Sequence, residues 1–153
     1  MDGEQWLNFR ENMRYFRLIR GITGKEMAAR MGKSVAWVSQ VEAGLYARWP
    51  ASKDMLAVAR ELGLSLKQMV TPLPSSIVLE VSNQEHDQGV KNLEKIRKHH
   101  KLSKRKFADK LGISRSCYSA VTNEYSRFSI ESWWRIAKEL NMDLKILIGR
   151  DEQ

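Results

Sequence analysis

Residues 23–44, TGKEMAARMGKSVAWVSQVEAG, and residues 103–124, SKRKFADKLGISRSCYSAVTNE, carry one pattern twice, at an offset of 80 residues. The paired positions hold identical or similar side chains: Thr23 with Ser103, Met27 with Phe107, Ala28 with Ala108, Met31 with Leu111, Gly32 with Gly112, Ser34 with Ser114, and Val41 with Val121. Each copy has the spacing of a helix, a tight turn at glycine and a second helix with a short, polar outer face. The chain is therefore predicted to contain one small helical unit in duplicate.

Helical periodicity continues on both sides of the quoted stretches. In the first half, apolar residues recur at three- and four-residue steps over 6–20, and further helices are predicted over 24–31, 35–43, 52–62 and 65–70. The second half repeats this order, with helices predicted over 88–100, 104–111, 115–123, 130–140 and 144–148. The predicted fold class is all-α, with two tandem five-helix domains.

The composition of residues 71–88 marks them as a linker between a domain over 1–70 and a domain over 89–153. The linker holds two of the three prolines and no basic residue. One apolar run within it, Ile77 to Leu79 with Val81, predicts a short strand.

Charge is distributed unevenly along a chain whose formal net charge is +8. Lys and Arg outnumber Asp and Glu by 11 to 7 over residues 1–70 and by 15 to 8 over residues 89–153, whereas residues 71–88 carry three acids and no base. Two basic units favour a polyanionic partner. No apolar run approaches the roughly 18 residues of a membrane span, and the single Cys117 excludes a disulfide framework, so we expect a cytoplasmic protein that does not enter membranes.

The first unit carries a consecutive string at fixed spacing: Arg17, Gly21-Ile22-Thr23, Met27-Ala28, Gly32, Ser34, Val38-Ser39, Glu42 and Gly44. This string resembles the helix-turn-helix domain of lambda-type phage repressors and Cro proteins, the XRE-like family. The resemblance covers residues 9–70 and 89–148. It implies a sequence-specific transcriptional regulator, a repressor of the kind found in phages, plasmids and other mobile elements. It also implies a structural ion pair between Arg17 and Glu42.

The third helix of each unit supplies the candidate readers of DNA bases. In the first unit, Val38 and Val41 occupy the inward positions of this helix, so its outer face is available to contact the edges of bases. The candidates are Val35, Ala36, Trp37, Ser39, Gln40, Arg115, Ser116 and Ser119. Gln40 suits adenine, Val35 and Ala36 suit thymine methyl groups, and Arg115 suits guanine. The two units are therefore expected to prefer different bases.

A second set of candidates would contact phosphate oxygens, which position a recognition helix without specifying sequence. By resemblance and by charge they are Thr23, Lys25, Lys33, Ser34, Tyr46, Arg48, Ser103, Lys104, Arg105, Lys106, Asn123, Tyr125 and Arg127.

The second unit departs from the family string at three positions. Thr122 replaces the glutamate, Glu124 replaces the closing glycine, and Tyr118 stands where the first unit has the small Val38. Arg97 then lacks the glutamate that the resemblance implies for it. Either Glu94 or Glu124 substitutes in the pairing, or the second unit is a looser and partly repurposed fold.

The expected partner is double-stranded DNA, with two alternatives left open. The first is a homodimer joined through Leu56, Ile77, Val78, Leu79, Val81 and Trp134. The second is a protein-binding adaptor, an antiactivator or antitoxin in which one or both units bind a protein. No nucleophile with a matched base, phosphate-binding glycine loop or ligand-spaced metal cluster occurs, so we expect neither an enzyme nor a cofactor, metal or small-molecule ligand.

Overall fold

The computed structural model describes residues 3–45 and 50–150 of the chain. Over these ranges it contains ten helices and no strand. The helices are α1 (Gly3–Ile19), α2 (Gly24–Met31), α3 (Val35–Ala43), α4 (Ser52–Leu62), α5 (Leu66–Met69), α6 (Asn83–His99), α7 (Lys104–Leu111), α8 (Arg115–Thr122), α9 (Ile130–Glu139) and α10 (Leu144–Leu147). The all-α prediction is confirmed over the described part of the chain.

The chain divides into two compact units between Leu79 and Glu80. The N-terminal unit contains α1 to α5 and the C-terminal unit contains α6 to α10. In both units the second and third helices pack closely against each other, as the repeated pattern predicts. The described helices thus follow the same order in each unit.

Helix α6 begins five residues earlier than the sequence analysis predicts, at Asn83 instead of Gln88. Ser82 and Glu85 form a capping box, in which the Ser82 side chain accepts from the Glu85 amide and the Glu85 side chain accepts from the Ser82 amide. Arg150 then holds the Glu85 carboxylate with two hydrogen bonds of 2.6 and 3.0 Å. Residues 83–88, assigned to the linker from sequence, are therefore helical.

The predicted strand over Ile77 to Leu79 with Val81 is wrong. The run follows a turn in which the Ile77 amide donates to the Pro74 carbonyl oxygen at 3.1 Å, and none of its residues is in a strand. A strand needs a neighbouring strand for its backbone hydrogen bonds, and the described residues supply none. The apolar character of the run instead reflects burial, because Val78 is 2% exposed.

The core of the N-terminal unit is formed by side chains that share the inward positions of α1 to α5. Its largest fully buried members are Phe9, Met13, Met27, Leu62 and Met69. Trp37 and Trp6 pack against this cluster while remaining half-buried.

Asparagine side chains, buried in the N-terminal unit and half-buried in the C-terminal unit, join the first helix of each unit to the end of its fifth helix. The Asn12 side-chain amide donates to the carbonyl oxygens of Met69 at 3.1 Å and Thr71 at 2.7 Å. At the equivalent position of the C-terminal unit, Asn92 donates to the Leu147 carbonyl oxygen at 2.7 Å. Because the last carbonyls of a helix have no partner within it, these amides supply one.

The C-terminal unit has an aromatic core centred on Trp133, which is fully buried. Gly89 makes room for it: a Cβ atom there would lie 2.5 Å from the Trp133 ring. Phe128 packs edge-on against Trp133 with centroids 5.1 Å apart, and the Phe128 amide donates to His86 Nε2 at 3.0 Å. Burial lowers the pKa of His86, the charge of Arg127 lowers it further, and Asp87 opposes both.

The third helix of the C-terminal unit ends without glycine. In the N-terminal unit, Gly44 closes α3 with a φ of 70°. Glu124 adopts the same left-handed conformation, with a φ of 65°, and its amide donates to the Val121 carbonyl oxygen at 3.1 Å. A Cβ atom in this region approaches the backbone closely, so Glu124 carries a conformational cost that Gly44 does not.

Replacing Glu124 by glycine should therefore stabilise the protein. The left-handed conformation costs a side chain about 1 to 2 kcal/mol, and the greater freedom of glycine in the unfolded chain offsets part of this gain. We expect Glu124→Gly to raise the free energy of unfolding by up to about 1 kcal/mol in urea denaturation. The control is Lys95→Gly, at an exposed position in the middle of α6, which should lower it by a similar amount. Equal or lower stability of Glu124→Gly would contradict the assignment of strain.

The stability of the protein should also fall as the pH drops through the range in which His86 titrates. The pKa of His86 is lowered in the folded protein, so near pH 6 the unfolded chain binds more protons and unfolding becomes easier as the pH decreases. The free energy of unfolding, measured from about pH 7.5 to 5.5, should decrease more steeply for the wild type than for His86→Gln. Glutamine can still accept the Phe128 hydrogen bond but does not titrate. If the free energy of unfolding falls equally with pH in both proteins, His86 is not the group whose protonation destabilises the fold.

Candidate nucleic-acid interface

Two side-chain caps and a glycine turn position the candidate recognition helix α3. The Thr23 hydroxyl accepts from the Glu26 amide at the start of α2, and the Ser34 hydroxyl accepts from the Trp37 amide at the start of α3. Between them, Gly32 ends α2. Both hydroxyls keep a hydrogen to donate, so capping is compatible with the phosphate contacts predicted for Thr23 and Ser34.

The outer face of α3 presents most of the predicted base readers to solvent. Val35 is 49% exposed, and Ala36, Ser39 and Gln40 are also exposed. Trp37 differs from them because its ring packs against the core of the unit and is half-buried. The face that remains is small, neutral and partly apolar.

Two of the cations predicted to contact phosphate in the N-terminal unit, Lys25 and Lys33, lie within the described residues. Lys33 forms an ion pair with Asp54 at 3.2 Å, and its ammonium also lies 5.4 Å from the centre of the Trp37 ring. Lys25 is exposed on α2. Tyr46 and Arg48, predicted to contact phosphate, lie outside the described residues.

An ion pair beneath α3 fixes that helix to α1. Arg17 donates from Nε to Glu42 Oε2 at 2.9 Å and from Nη2 to Oε1 at 2.8 Å, and its Nη1 donates to the Ile22 carbonyl oxygen at 3.0 Å. The two side chains are 3% and 7% exposed. The pair implied by the family resemblance is thus present, and its burial makes it structural.

The C-terminal unit builds the same anchor from other residues. Arg97 Nη1 donates to the Leu102 carbonyl oxygen at 2.9 Å, as Arg17 does to Ile22, but its carboxylate partner is Glu94, three residues earlier on the same helix. The Tyr118 hydroxyl donates to the same carboxylate at 2.7 Å. Of the alternatives left open from sequence, Glu94 therefore takes the place of the missing glutamate.

Burial and hydrogen bonding shift the pKa values within this network. Burial would raise the pKa of Glu94, but the hydrogen bonds from Arg97 and Tyr118 outweigh it and lower that pKa. Burial and the bond to Glu94 raise the pKa of Tyr118. The network therefore holds an ionised glutamate and a neutral tyrosine at neutral pH.

The outer face of α8 begins with charge where α3 begins with valine. Arg115 is exposed, and its guanidinium forms two hydrogen bonds to the carboxylate of Asp109 on α7. Ser116 is exposed, and Ser119 is half-buried with its hydroxyl accepting from the Asn123 side-chain amide at 3.3 Å. Arg115, the predicted guanine reader, is therefore paired with a carboxylate of the same chain, which the sequence analysis did not identify.

Several of the predicted phosphate contacts in the C-terminal unit are engaged within the protein. Lys104 Nζ donates to the Thr122 hydroxyl at 2.9 Å, which links α7 to α8. Arg127 donates to the side chain of Asn83 and lies 3.9 Å from Asp87.

The other predicted phosphate contacts of this unit are exposed. Arg105 and Lys106 are exposed on α7, and Tyr125 is 86% exposed just after α8. Ser103 is exposed and caps α7.

The candidate dimer contacts differ in how far they are exposed. Val78 is 2% exposed and so offers no surface to a second chain, and Ile77, Leu79 and Val81 lie in no strand of the described residues and so form no sheet edge. Leu56 is 49% exposed and Trp134 is half-buried. Only Leu56 retains the large exposed apolar surface that a dimer contact requires.

Residues 3–45 and 50–150 carry neither of two other features that a functional site could use. No group of three or more His, Cys, Asp and Glu side chains there is placed to hold a metal ion. None of the helices in residues 3–45 and 50–150 is long and apolar enough to cross a membrane.

Comparison with known protein families gives one match that covers both halves of the chain. The family described as helix-turn-helix matches residues 13–68 and residues 93–147, which together make up more than half of the sequence. No curated protein and no solved structure matches the chain. The matched segments include α2 with α3 and α7 with α8, the helix pairs described above.

The buried ion pair of the N-terminal unit provides a direct test of how α3 is held. Glu42→Ala leaves the Arg17 guanidinium buried without a carboxylate, which should cost about 3 kcal/mol or more of the free energy of unfolding. The matched substitution is Thr122→Ala at the equivalent position, which removes the bond from Lys104 and the hydroxyl's own bonds to the Tyr118 and Ser119 carbonyl oxygens. It leaves no buried charge without a partner, so it should cost only about 1 kcal/mol. Chemical denaturation measures both. Similar losses in the two variants would show that Glu42 does not support α3 as described.

Proposed function

Because the chain belongs to the helix-turn-helix family, whose fold is that of DNA-binding regulators, we propose that it is a sequence-specific transcriptional regulator that acts as a repressor. In this proposal α3 and α8 enter the major groove, where bound protein would block access to a promoter. The main support is that both third helices combine buried inward residues with an exposed outer face.

Charge supports a larger electrostatic contribution from the C-terminal unit. Helix α7 carries Lys104, Arg105, Lys106 and Lys110 against a single acidic residue, and α8 begins with Arg115. Cations that neutralise phosphates release bound counterions, which drives binding and makes it depend on salt. Arg105 and Lys106 are exposed and available for such contacts.

The N-terminal unit is suited to base contacts more than to phosphate attraction. Its helix α3 has no basic residue, while exposed Val35 and Ala36 can contact thymine methyl groups. The Gln40 amide can both donate to and accept from adenine. The two units would therefore read different bases, and their linkage in one chain would raise the affinity of two weak contacts.

A second candidate function has specific support in the same helix. The outer face of α3 lacks charge, Val35 is half-exposed, and the ammonium of Lys33 is paired with Asp54. Such a face also suits a protein partner, as in an antiactivator or antitoxin. A protein that copurifies with the chain and is lost with Val35→Asp would support this function.

Selection from a random duplex DNA library, followed by sequencing of the retained fragments, tests the proposed regulator. We expect one enriched motif whose affinity falls steeply with salt concentration. Gln40→Ala and Arg115→Ala should each relax base preference at separate positions, at a cost of about 1 to 3 kcal/mol in binding. Arg105→Ala should instead weaken all sequences alike and reduce the salt slope by about 1.

Lys91→Ala provides the control for Arg105→Ala. Lys91 is an exposed cation on α6, outside the α7–α8 pair, and its loss should leave the salt slope close to that of the wild type. If no DNA motif is enriched at low salt, the proposal that the chain is a sequence-specific regulator is overturned.

A further inference from the structure

Asp109 and Arg115 form an ion pair across the turn that joins α7 to α8. Arg115 donates from Nε to Asp109 Oδ1 at 3.0 Å and from Nη2 to Oδ2 at 2.8 Å. The two side chains are 51% and 52% exposed, so the pair stands on the protein surface at the first residue of the candidate recognition helix. Exposed ion pairs contribute little to stability, and the pair is therefore not explained by a need to hold the fold.

The ion pair with Asp109 leaves one edge of the Arg115 guanidinium unoccupied, and that edge can bind guanine. A guanidinium is planar and carries five N–H donors, of which Asp109 takes Nε–H and one Nη2–H. The Nη1–Nη2 edge still offers two parallel donors, which match the O6 and N7 acceptors of guanine in the major groove. One carboxylate and one guanine can therefore share the same arginine.

Because Asp109 orders the Arg115 side chain before DNA is bound, it favours the contact of Arg115 with a base. A long arginine side chain loses rotational freedom when it is ordered against a base, and a side chain that is already ordered loses less. The hydrogen bonds from Arg115 hold the pKa of Asp109 below its usual value, so the carboxylate is ionised at neutral pH.

The charge of Asp109 acts against general attraction to DNA. It is the only acidic residue in α7, where four cations surround it in sequence. A carboxylate on a face that meets phosphates lowers affinity for every sequence alike, so its presence there favours discrimination over affinity.

The N-terminal unit lacks both members of the pair. Ala29 stands at the position of Asp109 and Val35 at the position of Arg115. The two copies therefore differ by the whole pair and not by one of its members, which is expected if the carboxylate and the guanidinium act together.

We propose that Asp109 is a positioning residue that holds Arg115 with its Nη1–Nη2 edge toward a guanine, and so sets the base preference of the C-terminal unit. This inference rests on the proposed function. It predicts that the sequence preference at one position depends on a residue that itself touches no base.

The test measures binding of the full chain to the duplex selected from a random library and to its single-base variants. Arg115→Ala locates the guanine that depends on Arg115. At that position we expect Asp109→Asn to reduce the preference for guanine over the other bases by about tenfold, while affinity for the variant duplexes stays equal or rises because a negative charge is lost. Asp109→Glu should retain part of the preference, because it keeps the charge.

Glu139→Gln is the charge-matched control, since it removes one exposed carboxylate at the end of α9. It should leave the preference at every position unchanged. Thermal melting of each variant checks that the unit remains folded.

The outcomes separate the two proposals. No selected motif for the wild type would overturn the proposed function itself. A selected motif with an Arg115-dependent guanine that Asp109→Asn leaves equally preferred would overturn the positioning role and leave the regulator intact. A motif without any Arg115-dependent base would also overturn the positioning role.

Discussion

An arginine near the end of the first helix, buried in the N-terminal unit and half-buried in the C-terminal unit, is the constraint on which the outward presentation of each third helix depends. Arg17 and Arg97 both donate to the carbonyl oxygen five residues ahead, and this contact sets the entrance to the second helix. A guanidinium removed from water needs a carboxylate, because a buried charge without one costs several kcal/mol. The N-terminal unit supplies it from α3 through Glu42, whereas the C-terminal unit supplies it from α6 through Glu94 and joins it to α8 through Tyr118.

The helix boundaries were predicted well where capping residues set them locally. α2, α3 and α7 begin at a capping hydroxyl, end at a glycine and match the predicted bounds. α4 also matches, although it has a closing glycine and no side-chain cap at its start. The early start of α6 is also encoded locally, since Ser82 and Glu85 have capping-box spacing, but the linker-like composition of residues 71–88 conceals it. The strand predicted over 77–81 is wrong because a short apolar run indicates burial as well as strand pairing, and only tertiary structure distinguishes the two.

The candidate interface was less predictable because it depends on contacts between helices. The exposure of Val35, Gln40 and Arg115 follows from helical periodicity. The partners of Lys104 and Arg115 depend on how two helices cross, which no local pattern specifies. The pairing of Arg97 with Glu94 also depends on tertiary structure, because the Tyr118 hydroxyl of α8 donates to the same carboxylate.

The unlike anchors beneath α3 and α8 make the two halves of the duplicated chain mutually incompatible. A segment carrying α8 in place of α3 would bring Tyr118 opposite Arg14, the residue that stands where the other half has Glu94, and would leave Arg17 with no acid. Exchange of third helices between halves, whether by recombination within the gene or by swapping between chains, is thereby penalised. Divergence in the anchor thus keeps each third helix matched to its own unit.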